Sequence, residues 1–85
     1  MGDYRKLGVW DKAHKLTLHI YQVTKGFPKD EVYGLTSQIR RSAMSVPSNL
    51  AEGSGRGSDG ELIRFAHIAA GSAHELDYQI LLSYH

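Results

Sequence analysis

The chain has 85 residues, a formal net charge of +1 and no cysteine. That length gives one domain at most, spanning 1–85, and marginal stability in isolation, because so short a chain buries only about 60–65% of its unfolded surface. Disulfides and thiolate chemistry are excluded, the balanced charge gives no global pull toward polyanions, and no apolar run suits a membrane span or a signal-peptide core, so a cytoplasmic location is expected.

The first eight residues read as a short arm. Met1-Gly2 invites a lipidation reading, but Lys6 stands where that motif needs Ser or Thr. A first helix is expected over about 9–25. Val9, Ala13, Leu16, Ile20, Val23 and Phe27 alternate spacings of four and three, the rhythm of bundle packing. Trp10, Thr17 and Tyr21 form a flanking stripe, so this helix is expected to meet more than one neighbour. Gly26 and Pro28 end it.

A second helix is expected over about 33–52, starting at Tyr33 or Gly34. It carries Pro47 in its interior, where a proline removes a backbone hydrogen bond and costs ~3 kcal/mol. Leu35, Ile39, Ala43, Val46 and Leu50 fall on one narrow arc. Gln38, Arg41, Ser45, Ser48, Asn49 and Glu52 fall on another. Of these, Gln38, Arg41, Ser45, Asn49 and Glu52 read as a structural polar stripe. Their hydroxyls and amides are expected to form a hydrogen-bonded network against another helix and to fill the gap Pro47 leaves. A plain solvated face would carry more Lys and Glu.

Gly53 to Gly57 read as a loop. The third helix is expected over about 59–84, with Ser58 as its N-cap and Glu61 reaching back in a capping box. It would be ~39 Å long. Leu62, Phe65, Ala66, Ala69, Ala73, Leu76, Ile80 and Tyr84 make its main stripe. Ile63, Ala70 and Leu81 make a second, and Ile68 and Leu82 lie further round. A helix apolar on more than one side needs more than one partner. No segment reads as a strand.

The block Tyr33-Gly34-Leu35-Thr36-Ser37-Gln38-Ile39-Arg40-Arg41, with Val46-Pro47-Ser48-Asn49-Leu50-Ala51-Glu52-Gly53, carries a family resemblance. Val9 to Ala13, Phe27-Pro28-Lys29, Gly55-Arg56 and Glu75-Leu76 extend it over nearly the whole chain. The sequence resembles the small four-helix-bundle proteins encoded within intervening sequences of bacterial 23S rRNA genes, relatives of the accessory proteins of diversity-generating retroelements. The resemblance implies an all-α, antiparallel up-down bundle whose fourth helix is missing from this chain. It also implies a homo-oligomer, with a pentamer expected because the retroelement relatives are pentamers that bind nucleic acid and a reverse transcriptase.

Enzymatic chemistry finds little support. Gly55-Arg56-Gly57-Ser58-Asp59-Gly60 matches G-x-G-x-x-G, but the dinucleotide reading needs a preceding strand, and a helix precedes it here. The free amides of the third helix, with Arg56, offer at most one phosphate contact, crowded by Asp59 and Glu61. Five histidines are present, yet only Asp11-Lys12-Ala13-His14 approaches a di-iron pattern, and it occurs once. His67 and His74 share a face with no ligand between them. No Ser/His/Asp set is suggested, and Glu52 reads as an ion-pair partner of Arg41 rather than a general base. No catalytic residue, metal, cofactor or small-molecule substrate is expected. The expectation is a non-catalytic homo-oligomer that binds RNA or DNA through Arg40, Arg41, Arg56 and Arg64. Arg41 is expected to be partly engaged within the fold. The alternative is a structural assembly module with a protein partner.

Overall fold

A computed structural model describes residues 3–31 and 34–84 of the chain. The expectations placed on Met1, Gly2 and Tyr33 lie outside the described residues. Three α-helices run in order, α1 (Gly8–Thr24), α2 (Leu35–Gly55) and α3 (Asp59–Ser83), with short 3-10 turns at Tyr4–Lys6 and Lys29–Glu31. No strand occurs among the described residues. The fold is an all-α bundle of antiparallel neighbours.

The arm before α1 is more ordered than a plain tail. The Asp3 carboxylate accepts a hydrogen bond from the Arg5 amide at 3.0 Å and caps the Tyr4–Lys6 turn. α2 runs on through Gly53 and Ser54 to Gly55, beyond the expected end at Glu52. The glycine-rich run therefore continues the helix, and only Gly57 takes a left-handed conformation, with φ of 84°. A glycine there turns the chain at no steric cost. Ser58 then caps α3, its hydroxyl accepting from the Glu61 amide at 3.2 Å. Only this half of the capping box forms, because the Glu61 carboxylate accepts from Arg64 Nε at 2.7 Å instead of turning back.

α2 is the central helix. It packs along both α1 and α3, whereas no Cα atoms of α1 and α3 come within 8 Å of one another. Cross-helix pairs fix the directions. Early α2 meets late α1 where Arg40 Nε donates to Thr24 Oγ1 at 2.8 Å. Late α2 meets early α3 where Gly53 lies against Leu62 and Phe65. A methyl group on Gly53 would sit 2.7 Å from Phe65 Cβ and 3.2 Å from Leu62 Cα, so this crossing requires glycine.

Two apolar clusters form the core. Ile20, Ile39, Ala43 and Leu76 make one, with Phe27, Leu35 and Ile80 packed on it. Ala13, Leu50 and Ala69 make the other, with Trp10, Val46 and Ala66 around them. The heptad stripe of α1 is only half used. Ala13 and Ile20 are buried, while Val9 is 59%, Leu16 44% and Val23 49% exposed. The flanking side chains Trp10 and Thr17 face α2 instead. The physical reason is that, of the other two α-helices, only α2 packs closely along α1. Between α1 and α3, where a four-helix ring would hold its fourth member, lies an open apolar groove of about 390 Å³, lined among others by Leu16, Ile20, Val23, Phe27 and Ile80. On α3, Phe65, Ala69 and Leu76 are buried, but Ile63, Ile68, Leu81 and Leu82 are exposed.

Candidate functional site

The proline inside α2 is where sequence and structure differ most instructively. A proline at 47 leaves the Ala43 carbonyl without its i→i−4 donor. Thr17, on α1, supplies the replacement. Its hydroxyl lies 3.0 Å from the Ala43 carbonyl oxygen and 2.8 Å from that of Ala13 on its own helix, and shares one proton between them. The gap is thus closed from the neighbouring helix and not by the polar stripe. The flanking-stripe pattern marks Thr17 only as a packing position. Finding its role requires the register between α1 and α2, which no local pattern encodes.

The polar stripe divides in two. Ser45 and Asn49 are half-buried and bonded. Asn49 Nδ2 donates to the Ser45 carbonyl at 2.8 Å and to Ser45 Oγ at 2.9 Å, and Ser45 Oγ meets Ser72 Oγ of α3 at 2.8 Å. This small network ties the middle of α2 to the middle of α3. Gln38, Arg41 and Glu52 are exposed and outside it. Glu52 pairs with Arg56 at 3.6 Å, not with Arg41.

The four arginines do not make one patch. Arg40 and Arg41 lie near the start of α2, and Arg56 lies just past its end with Arg64 beside it on α3. Arg56 lies sixteen residue steps beyond Arg40, ~24 Å at 1.5 Å per step along a helix. Three of the four have partners. Arg40 bonds Thr24 and places its guanidinium 4.9 Å from the centre of the Tyr21 ring. Arg56 and Arg64 both lie over the Phe65 ring, at 5.0 and 4.4 Å, while pairing with Glu52 and Glu61. Arg41 is the exception. It is exposed and has no hydrogen bond or ion pair among the described residues, which reverses the expectation that it is the engaged arginine.

Electrostatic perturbations are mild and local. The Arg64 guanidinium, hydrogen-bonded to Glu61, holds that carboxyl below its ordinary value. The hydrogen bonds from Arg5 do the same for Asp3. Both carboxylates lie at the surface, with Asp3 34% and Glu61 36% exposed, so these are surface effects. Among the described residues no three His, Cys, Asp or Glu side chains converge as metal ligands would. His74 Nδ1 lies 2.8 Å from the Ala70 carbonyl of its own helix. Gly55-Arg56-Gly57-Ser58-Asp59-Gly60 begins in the last turn of α2 and ends inside α3, so the strand-to-helix setting of a dinucleotide loop is not there. No helix of the described residues is long and apolar enough to cross a membrane.

With the geometry in place, comparison with known families gives one result. Residues 5–85 match the family described as 23S rRNA-intervening sequence protein. No curated protein matches the chain.

Proposed function

The chain belongs to the 23S rRNA-intervening sequence protein family, and on that premise we propose that it is a non-catalytic, homo-oligomeric helical-bundle protein of the cytoplasm that binds nucleic acid or a nucleoprotein partner. The observation that carries the assembly is the unshared surface of α1 and α3. Of the described α-helices only α2 packs closely along either of them, and large apolar side chains such as Val9, Val23, Ile63 and Leu81 stand in water on both. Exposed apolar surface on this scale marks an interface.

Support for nucleic-acid binding is the exposed basic surface, with Arg41 as its leading residue. Arg40, Arg56 and Arg64 keep their charges while held by neighbours. Assembly multiplies each small cluster, so two modest patches per chain become a repeated array of phosphate contacts. A pentamer is the proposed state.

The test is the native mass of the protein with and without a generic RNA, across a salt series. The reading expects an assembly that gains RNA mass at low salt and loses it steeply as salt rises. An assembly that never gains RNA mass favours the alternative, a structural module whose partner is a protein.

A further inference from the structure

The surface where the N-terminal turn, α1 and α2 meet carries a row of rings that no basic cluster accounts for. Tyr4 stands edge-on to Trp10, with ring centres 5.0 Å apart and planes at 66°. Trp10 lies parallel to His14 at 4.9 Å and 10°. Met44, Pro47 and Ser48 of α2 complete an open cup of about 260 Å³ around these rings. The cup is held from behind. Trp10 packs against the Ala13, Leu50 and Ala69 cluster, and Pro47 is buried, so the rings require little further ordering to receive a ligand.

Charge around the cup is uneven. Its acidic neighbours are each bridged to a cation: Asp3 to Arg5 at 2.9 Å, Asp11 to Lys15 at 2.9 Å and Glu52 to Arg56 at 3.6 Å. Lys6, two residues past Tyr4, and Arg41, two turns before Ser48 on the same face of α2, are exposed and have no ion pair among the described residues. Rings with unpaired cations to either side match the chemistry of a nucleic-acid strand whose bases are free. Phosphates meet the cations and a base meets the rings. A duplex keeps its base faces stacked inside and offers the cup nothing.

We propose that the Tyr4–Trp10–His14 row is a stacking site for an unpaired base of single-stranded nucleic acid, with Lys6 and Arg41 receiving the flanking phosphates. This rests on the nucleic-acid reading above and adds to it the strand state and the place.

Trp10 is the chain's single tryptophan, so its fluorescence reports on this cup alone. The experiment titrates the full chain at low salt with labelled oligouridylate, and separately with that strand annealed to oligoadenylate. Tryptophan emission and label anisotropy are followed together. The expected result is saturable quenching that tracks the anisotropy for the single strand, with weaker binding and little quenching for the duplex. His14→Ala should weaken single-strand binding about tenfold, the scale of losing one stacked base, and leave duplex binding unchanged. A strand that binds without altering Trp10 emission, or binds no better than the duplex, overturns the stacking site and leaves the nucleic-acid reading standing. No anisotropy change with either strand overturns both. Should His14→Ala fail to fold, the quenching of the parent protein decides alone.

Discussion

Thr17 and Pro47 form a pair whose energetics are measurable separately. Thr17→Val keeps shape and removes the hydroxyl that serves the Ala43 carbonyl. It should cost ~1–2 kcal/mol, the penalty for a buried acceptor left unsatisfied, or roughly 4–16 °C in melting temperature for a domain of this size. In a Pro47→Ala background the residue 47 amide is restored and donates to Ala43 itself. There the same Thr17→Val change should cost much less. Additive losses across the four proteins would show that Thr17 does not serve the proline gap. Gly53 and Gly71 give a second contrast. Gly53→Ala drives a methyl group to 2.7 Å from Phe65 Cβ and should destabilise by ~1–3 kcal/mol through overpacking. Gly71→Ala meets nothing within 4 Å and should stabilise by up to ~1 kcal/mol through helix propensity. In the polar stripe, Asn49→Ala should lower the melting temperature, because it removes the donor to Ser45. Arg41→Ala should leave it unchanged while weakening any polyanion binding, since its guanidinium holds nothing in the fold. Thermal melts of the two variants side by side separate the structural half of the stripe from the exposed half.

At the scale of elements, the sequence patterns reach far but stop at contact. The capping serine of α3, the proline inside α2 and the apolar arcs are all local, and three helices form around those signals, although α2 runs past its expected end at Glu52 to Gly55. Two kinds of information are not local. One is register, which decides that Thr17 rather than Ser45 or Asn49 closes the gap at Pro47. The other is competition for a side chain. Glu61 has the spacing of a capping box, yet Arg64 one turn on captures its carboxylate. Arg56 looks free in a glycine-rich stretch, yet α2 continues under it and delivers it to Glu52 and Phe65. The Glu61–Arg64 pair makes its own prediction. Glu61's pKa is lowered in the folded chain, so the pair's support for α3 is fully present above the ordinary glutamate pKa and is lost as pH falls through the lowered value. An NMR titration of Glu61 should place its midpoint below that of a free glutamate, and Arg64→Ala should return it. A midpoint indifferent to Arg64→Ala would mean that the bond does not persist in solution. The effect on global stability should be small, since water screens a surface pair.

For the whole molecule, the governing fact is that three helices do not close the ring of a four-helix bundle. A four-helix bundle gives every helix two close neighbours, but here α1 and α3 each have one close neighbour among the described helices. The two core clusters, each built from all three helices, are therefore small, and Leu16 and Leu81 carry apolar surface into water. A chain of 85 residues has little stability to spare, so covering this surface is the largest available gain. At ~25 cal/mol per Å² of apolar area buried, even a few hundred Å² per chain contributes several kcal/mol, comparable to the whole stability of a small domain. We therefore expect self-association and folding to be coupled: dilution should lower the melting temperature together with the native mass. Leu16→Glu, on the groove side of α1, and Leu81→Glu, on the outer side of α3, place a charge on two different exposed surfaces. Whichever surface is the interface, its variant should lose mass and helicity together, while the other behaves as the parent. A protein that sediments as a single chain at micromolar concentration, fully helical and with a melting temperature independent of dilution, would show that the three helices stand alone and that their apolar surface serves something other than self-assembly.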